Sequence, residues 1–298
     1  MSPQRPPGPR RLRSVLFAPA VRPDLVAKLP RAGADLVVID CEDASPPGAK
    51  DEARAHAAEA GPRLAAAGET VAVRVNDPST PWFADDVRSA LGPHLAAVVV
   101  PKLDHPDAVD RVAAALDAAG LDELGIVAGI ETVTGVLDAR TVLRHPRIVA
   151  AYFGAEDHVA DLGGRRTSSN HEVATARAWV AMCARVAGVP VCDMIVADFG
   201  DTERFRREAD EARDLGFAGK LCIHPDQVAV AHEAFTPDPD EVAAARRILA
   251  AHAEARRAGR GVAVVDDRMI DEPLAAQARR TLALAGLDPD DADAGGPS

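Results

Sequence analysis

The chain has 298 residues, 47% of them hydrophobic and only 3% aromatic, and it carries a formal net charge of −12. This length and apolar content suffice for a large core built mainly from Ala, Val and Leu. The excess of acidic residues, without runs of Lys and Arg, argues against nucleic-acid binding. We find no apolar stretch long enough for a membrane span or a signal peptide, so we expect no membrane association.

The first residues are rich in Pro and Arg, and we expect a flexible leader over residues 1–12. The four cysteines include no Cys-x-x-Cys pair and no Cys/His cluster with zinc-ligand spacing. Three of them lie in or beside apolar runs, which is typical of buried, reduced thiols. The sequence therefore favours a reducing, cytoplasmic location.

Eight short apolar runs follow the leader, and the segments between them have helical patterns that end at glycine. The runs cover residues 15–17, 36–39, 71–75, 97–100, 125–130, 149–153, 192–196 and 220–223. Strands rich in Val, Ile and Leu that alternate with helices are typical of a parallel sheet covered on both faces. Eight such units predict a (β/α)8 TIM barrel, an α/β fold, over residues 13–232. In that fold the residues that follow the strands form the active site.

The composition changes after the eighth run. A Pro/Asp-rich link leads into a helix over residues 241–257, and a turn with a short extended run over 259–265 precedes a last helix over 274–285. We expect residues 233–287 to form a C-terminal helical extension that is either a packing cap or a lid. Residues 288–298 are rich in Asp, Gly and Pro and are predicted to be a disordered tail.

Two acidic residues, Glu131 and Asp157, follow the fifth and sixth runs. Because adjacent parallel strands end at the same edge of a sheet, we expect their carboxylates to converge at the mouth of the barrel. Two carboxylates that leave other positions to water and substrate suit Mg²⁺, a cation that prefers oxygen ligands. The alternative is that both acids merely cap helices. Each has a glycine nearby in the sequence, which favours a ligand site.

Two cationic residues also follow apolar runs. Arg74, at the end of the third run, needs a partner, which is either an ion pair with Asp40 or Glu42 or the carboxylate of a substrate. Lys102, after the fourth run, is either an ion-paired or solvated lysine or, less commonly, one that forms a Schiff base. The sequence alone leaves both questions open.

Further candidates surround the ends of the first and last strands. Phe17, Arg22 and Lys28 lie around the first strand-to-helix junction. Two cations near a helix start are able to hold a phosphate, although surface solvation more often explains a lone Arg or Lys. His224, which follows Ile223 at the end of the eighth run, is the only one of nine histidines whose position indicates a role.

Seven segments at strand ends and in the extension carry a resemblance to a known family. They are Ser-Val-Leu-Phe-Ala-Pro-Ala-Val-Arg-Pro at 14–23, Asp-Cys-Glu-Asp-Ala at 40–44, Val-Arg-Val-Asn at 73–76, Ile-Glu-Thr at 130–132, Phe-Gly-Ala-Glu-Asp at 153–157, Gly-Lys-Leu-Cys-Ile-His-Pro-Asp-Gln at 219–227 and Met-Ile-Asp at 269–271. From residue 13 to residue 285 the chain resembles the HpcH/HpaI aldolase and citrate lyase beta-subunit family, and within it the malyl-CoA and citramalyl-CoA lyase branch. It departs from the family pattern at Ala20, at Cys41 and over residues 163–172.

The resemblance implies a TIM barrel with a C-terminal extension that packs on a neighbouring subunit, in a homotrimer or hexamer. It implies that Glu131 and Asp157 bind Mg²⁺ and that Arg74 grips the carboxylate and carbonyl of the substrate. It also implies a catalytic Asp271, delivered by the lid of an adjacent subunit. The other positions that it assigns line the coenzyme A site; they are Phe17, Arg22, Lys28, Ile223 and His224.

The expected activity is that of a Mg²⁺-dependent carbon–carbon lyase that cleaves or forms a 3-hydroxyacyl-CoA of the malyl-CoA, methylmalyl-CoA or citramalyl-CoA type. The smaller substrates are an acyl-CoA and a 2-keto acid, either glyoxylate or pyruvate. Hydrolysis of the product thioester would instead give a synthase or a thioesterase. The alternatives are a CoA-independent, metal-dependent aldolase on 2-keto acids, a citrate lyase beta-like subunit of a complex and, least favoured, a Schiff-base aldolase that uses Lys102.

Overall fold

The computed structural model describes residues 5–288, and the chain divides into two compact units between His232 and Glu233. Eight parallel strands close into a barrel in chain order; they are β1 (Ser14–Pro19), β2 (Leu36–Asp40), β3 (Val71–Arg74), β4 (Ala97–Val100), β5 (Ile126–Ile130), β6 (Ile148–Phe153), β7 (Val191–Asp193) and β8 (Gly219–Cys222). Pairing of β1 with both β2 and β8 completes the ring. The predicted TIM barrel is confirmed. The expectations for residues 1–4 of the leader and 289–298 of the tail lie outside the described residues.

Helices follow the strands. They are α1 (Pro23–Val26), α2 (Lys50–Ala66), α3 (Phe83–Ser89), α4 (Pro106–Ala118), α5 (Val133–Val142), α6 (Ala155–Leu162), α7 (Ala174–Ala187), α8 (Thr202–Leu215) and α9 (Pro225–Phe235). Short 3-10 helices cover Leu29–Ala32, Pro47–Ala49 and His171–Val173. The sequence pattern predicts neither α6 nor α9. Within residues 5–288, no helix has both the length and the apolar character needed to cross a bilayer.

Aliphatic side chains fill the barrel, as the low aromatic content requires. One buried cluster includes Val15, Leu36, Val38, Ala72, Val99, Val127, Cys192 and Leu221. Tyr152 belongs to the same cluster and is only 2% exposed, so its phenol group is buried in the barrel. All four cysteines are buried and form no disulfide, in agreement with the expectation of buried, reduced thiols.

Residues 5–12, which the composition predicts to be flexible, contact the barrel. The Arg5 guanidinium donates hydrogen bonds of 2.9 and 3.0 Å to the carbonyl oxygens of Ile148 and Ala187. Leu12, just before β1, is buried in the barrel cluster. The Pro/Arg composition does not reveal these contacts, because only the folded barrel brings the accepting carbonyl groups together.

The second unit contains two helices and a hairpin. Asp238 and Glu241 form a capping box at the start of α10 (Pro239–Arg257), and α11 (Glu272–Leu284) packs on α10 through small and aliphatic side chains. Between the helices, β9 (Ala263–Val265) pairs antiparallel with β10 (Arg268–Ile270). The extension is therefore helical as predicted, with a hairpin where a single extended run was expected.

A buried ionic network links β7 and β8 to the helices that cover them. Lys220 on β8 is fully buried, and its Nζ donates a 2.8 Å hydrogen bond to Asp193 on β7. The Arg177 guanidinium of α7 binds both oxygens of the same carboxylate at 2.9 Å, and Glu208 of α8 lies 3.6 Å from Lys220 Nζ. Because these charges are withdrawn from water, each one depends on the others.

Replacement of Lys220 by Met is expected to lower the free energy of unfolding by about 3–5 kcal/mol, since it leaves buried carboxylates with too few cations. Urea unfolding of the full chain measures the change. The matched control is Lys28→Met, which removes an exposed lysine and is expected to cost less than about 0.5 kcal/mol. Equal losses in the two variants would contradict this role of the network.

Candidate active site

Five consecutive strands, β2 to β6, bring polar side chains to one end of the barrel. Asp40 closes β2, Arg74 closes β3, and the two residues are in register. The Arg74 guanidinium donates from Nε and Nη2 to the two carboxylate oxygens of Asp40, each at 2.7 Å. It also lies 5.1 Å above the ring of Phe17. The bidentate pair and the ring together fix the plane of the guanidinium.

Glu42 is a buried carboxylate that contacts both cations of the site. Its Oε2 lies 3.0 Å from Arg74 Nη1, and its Oε1 accepts a 2.7 Å hydrogen bond from Lys102 Nζ. Burial raises the pKa of Glu42, and the two cations only partly oppose this shift. Arg74 thus forms ion pairs with both acids that the sequence offered as partners. These contacts leave further N–H donors of the guanidinium for other groups.

Glu131 follows β5 directly and is 2% exposed. Its Oε1 accepts hydrogen bonds from the backbone N–H of Lys102, at 2.9 Å, and from Tyr152 Oη, at 3.1 Å. Burial, together with the negative charge of Glu42, raises the pKa of Glu131 to about 7. The two hydrogen bonds therefore fix the carboxylate, and the nearby cations do not fully balance its negative charge.

Lys102 adopts a left-handed backbone conformation with φ of 53°. Its Nζ bridges two carboxylates, Glu42 Oε1 at 2.7 Å and Asp157 Oδ1 at 3.3 Å. Burial lowers the pKa of Lys102, but the hydrogen bond to Glu42 and the surrounding carboxylates raise it by more, so the pKa lies above its ordinary value. A lysine held in this way stays an ammonium ion, and the ion-paired alternative is the one that the structure shows.

Asp157 lies in the first turn of α6, a helix that the sequence pattern does not predict. Gly154 ends the strand and α6 begins at the next residue, so the carboxylate stands at a helix N-terminus. Its side chain is 37% exposed. The shared contact with Lys102 brings this acid and Glu131 to the same place, as the sequence predicts.

Two glycines make room for the buried side chains of the site. A Cβ atom at Gly154 would lie 2.3 Å from Glu131 Oε2, and a Cβ at Gly129 would lie 2.5 Å from Tyr152 Oη. Both distances are far shorter than a van der Waals contact. The glycines near the acids therefore accommodate Glu131 and Tyr152, and not only a ligand as the sequence suggested.

These side chains border a cavity of about 360 Å³. Arg74, Glu131, Tyr152 and Asp157 line it, together with apolar residues of β1 and of the segments after β7 and β8. Among residues 5–288, no group of three or more His, Cys, Asp and Glu side chains is arranged to hold a metal ion. A metal at this cavity would have two carboxylates as its protein ligands and would take its other ligands from water or a bound molecule, which is how Mg²⁺ often binds.

The charges of the site fit a divalent cation. Four carboxylates, those of Asp40, Glu42, Glu131 and Asp157, lie around the two cations Arg74 and Lys102. Two further acids, Asp43 and Glu156, also line the cavity. Apart from the two cations, the polar side chains of the site offer oxygen atoms, which are the ligands that Mg²⁺ prefers. Glu131 and Asp157 are the two that would hold it.

The residues assigned to coenzyme A are only partly gathered at this cavity. Phe17 and Ile223 line it. His224, the next residue, stacks on Phe199 with ring centroids 5.1 Å apart. Arg22 lies outside the lining and binds the carboxylate of Asp24 at 2.9 Å, and Lys28 is exposed and also outside the lining.

Asp271 belongs to the second unit, where it begins α11. Its carboxylate accepts a 3.3 Å hydrogen bond from the backbone N–H of Leu274, which is the role of a helix N-cap. Within the chain this acid therefore has a structural function, and its catalytic role stays a prediction.

The sequence did not identify Tyr152, the buried phenol that binds Glu131, because it lies inside an apolar run. The sequence offered the acidic segment around Glu42 as a partner of the two cations, and the structure shows both contacts. A polar hydroxyl within an otherwise apolar strand is the signal that was available for Tyr152, since a buried phenol normally has a hydrogen-bond partner.

Comparison with known proteins agrees with this architecture. The model of the HpcH/HpaI aldolase/citrate lyase family matches residues 13–225. A citrate lyase subunit beta-like protein of Deinococcus radiodurans is 48% identical over 278 residues, which are 92% of this chain and 97% of that protein. A (3S)-malyl-CoA thioesterase of Cereibacter sphaeroides is 33% identical, over 92% of this chain and 94% of that protein.

A solved structure is similar along almost the whole chain. The crystal structure of CitE from Mycobacterium tuberculosis, in complex with magnesium, acetoacetate and coenzyme A, has a TM-score of 0.78 and 30% sequence identity; the match covers 94% of this chain and 98% of that one. The resemblance seen in the seven sequence segments is confirmed. This chain belongs to the HpcH/HpaI aldolase/citrate lyase family.

Proposed function

We propose that the protein is a Mg²⁺-dependent carbon–carbon lyase that reversibly cleaves or forms a 3-hydroxyacyl-CoA. Its smaller substrates are an acyl-CoA and a 2-keto acid, either glyoxylate or pyruvate. The observation that carries the proposal is the convergence of Arg74, Glu131 and Asp157 on one cavity. The CitE structure, which was solved with magnesium, acetoacetate and coenzyme A, supports this choice of ligands.

Arg74 binds an oxygen of the keto acid. Because Asp40 and Glu42 fix the guanidinium, its remaining N–H groups meet the negative charge that develops on the carbonyl oxygen without having to reorganise. Glu131 and Asp157 would hold the magnesium ion, which when bound would supply Lewis-acid polarisation of the carbonyl group. Tyr152 and the backbone of Lys102 orient Glu131 through their hydrogen bonds.

In the condensation direction, Asp271 takes a proton from the α-carbon of the acyl-CoA. The electron pair of that C–H bond forms a thioester enolate, whose carbon attacks the carbonyl carbon of the keto acid. The π electrons of the carbonyl move to oxygen, and the alkoxide takes up a proton from water. The hydroxide left behind is neutralised by the proton that Asp271 carries. In cleavage these steps run in reverse, and Asp271 returns the proton to carbon.

The family resemblance assigns Asp271 to the mouth of an adjacent subunit, and we propose the same arrangement in a homotrimer or hexamer. Phe17, Arg22, Lys28, Ile223 and His224 would then bind coenzyme A. Of these, Phe17 and Ile223 have the most direct support, because they line the cavity that holds Arg74. The buried thiols suit a reducing compartment, and we propose that the protein acts in the cytoplasm.

A thioesterase is the second candidate, favoured by the relative from Cereibacter sphaeroides. In that case water attacks the thioester and releases free coenzyme A. A non-catalytic beta-like subunit of a complex is a third possibility, in keeping with the name of the relative from Deinococcus radiodurans.

Incubation of the purified chain with Mg²⁺ and a panel of acyl-CoAs and 2-keto acids, followed by mass spectrometry, distinguishes the three candidate functions. Condensation by the lyase yields a 3-hydroxyacyl-CoA, condensation followed by hydrolysis yields a hydroxy acid and free coenzyme A, and a non-catalytic subunit yields neither.

Glu131→Gln and Asp157→Asn are each expected to lower kcat/KM by at least about 100-fold, because each removes one charged oxygen ligand of the metal. Excess EDTA is expected to abolish the activity, and added Mg²⁺ to restore it. The control is Asp210→Asn, a carboxylate exposed on α8, which is expected to keep wild-type activity. Full activity in EDTA, with a borohydride-trapped adduct on Lys102, would instead support imine chemistry.

Asp271→Asn is expected to bind metal as the wild type does but to lose product formation, because an amide does not accept the proton from carbon. The carboxamide oxygen still accepts the hydrogen bond from Leu274, so the start of α11 is kept. Mass spectrometry of the products and a Mn²⁺ titration measure the two properties.

Co-expression of Asp271→Asn with Glu131→Gln tests whether the acid acts across subunits. Mixed oligomers then contain some sites with both Asp271 and Glu131, and part of the activity is expected to return. Near-normal turnover by Asp271→Asn alone would show that another group is the base.

A further inference from the structure

Lys102 contacts both carboxylates that we assign to the metal. Its backbone N–H donates to Glu131 Oε1 at 2.9 Å, and its Nζ lies 3.3 Å from Asp157 Oδ1. The reaction proposed above gives no task to this ammonium group. Its strong ion pairing also excludes the usual task of a barrel lysine, which is to attack a carbonyl as a neutral amine.

The backbone at Lys102 is fixed by the same contacts. A non-glycine residue at φ of 53° is strained by roughly 1 kcal/mol, and such strain persists where the surroundings determine the conformation. Here the conformation places the amide against one acid and lets the side chain reach a second. Because Met, Gln and Arg carry a Cβ as Lys does, their substitution at this position leaves the backbone requirement unchanged.

The two ion pairs of the ammonium group differ. Nζ lies 2.7 Å from Glu42, whose carboxylate is buried and also binds Arg74, but 3.3 Å from Asp157, which is 37% exposed. The first contact is short and enclosed. The second is longer and open to solvent, so Asp157 is the partner that a competing cation displaces more readily.

We propose that Lys102 competes with the divalent cation for Asp157 and thereby sets the metal affinity of the site. This inference rests on the proposed function, because it takes Glu131 and Asp157 as the metal ligands. When the cation binds, the ammonium group gives up Asp157 and stays on Glu42. Lys102 is thus a positioning residue that holds Asp157 before loading and weakens the binding of the metal.

The size of the effect follows from the charges. Asp157 has one ammonium group at 3.3 Å, whereas the direct contact of Lys102 with Glu131 is a neutral backbone N–H. Removal of one positive charge a few ångströms from a dication changes its binding by an amount that, after screening at a partly exposed site, we expect to be roughly ten-fold.

The test is a titration with Mn²⁺, a spectroscopic substitute for Mg²⁺, in which the electron paramagnetic resonance signal of the free ion reports binding without any turnover. Lys102→Met and Lys102→Gln are expected to bind Mn²⁺ about ten-fold more tightly than the wild type. Lys102→Arg keeps the charge and is expected to stay close to the wild type. Arg207→Met, which removes an exposed cation of α8, is expected to leave the affinity unchanged.

The outcomes separate this inference from the proposed function. Unchanged or weaker binding by both neutral variants, with wild-type circular dichroism spectra, overturns the competition. So does an equal gain in Arg207→Met, because the gain would then reflect net charge alone. If the wild type binds no Mn²⁺, or if Asp157→Asn binds as the wild type does, the metal site itself is wrong and both proposals fall.

Discussion

The mouth of the barrel is organised by a carboxylate that is withdrawn from water. Glu42 holds Arg74 with one oxygen and Lys102 with the other, so the two cations of the site are fixed relative to each other. A buried carboxylate is costly unless cations compensate it, and here each cation also contacts a further acid. Arg74 reaches Asp40, and Lys102 reaches Asp157. Arg74 and Asp157, which line the cavity, are therefore positioned directly or through Lys102 by Glu42, which does not line it.

The barrel makes this network possible because its strands end together. Asp40 and Arg74 close adjacent strands in register, and Lys102 and Glu131 follow the next two strands, β4 and β5. Residues far apart in the chain thus meet within hydrogen-bond distance. The balance of charge at that edge is negative, which is unfavourable in the absence of a bound cation and becomes favourable in its presence. The metal-dependent reaction proposed above would make use of this imbalance.

The sequence predicts the barrel and the position of Glu131 well, because both depend on a local pattern: an apolar run that ends in a polar residue. It predicts the setting of Asp157 less well, since β6 ends at Phe153 as predicted but the acid lies in the first turn of α6, a helix that the apolar pattern does not indicate. Tyr152 could not be assigned to the site from the pattern, because its partner, Glu131, belongs to a different strand. The register between strands, and not the residue type, creates that contact.

The extension shows a similar limit. The turn between β9 and β10 consists of Asp266 and Asp267, both with positive φ, at 47° and 59°. Two-residue turns of this kind are usually recognised in a sequence by Asn-Gly or Asp-Gly. A pair of aspartates predicts only a polar link. The leader shows the opposite case. Its composition predicts a flexible segment, but Arg5 binds carbonyl groups that come from distant segments of the chain.

Gly154 has a consequence for substrate size. Its missing side chain is the space into which Glu131 packs, so the wall of the cavity at this point is bare peptide backbone and cannot be trimmed or enlarged by substitution. The walls that can be reshaped are made by side chains, among them those of Phe17, Ile195 and Ile223. The volume of the cavity is therefore adjustable at such side chains and not at the peptide backbone of Gly154.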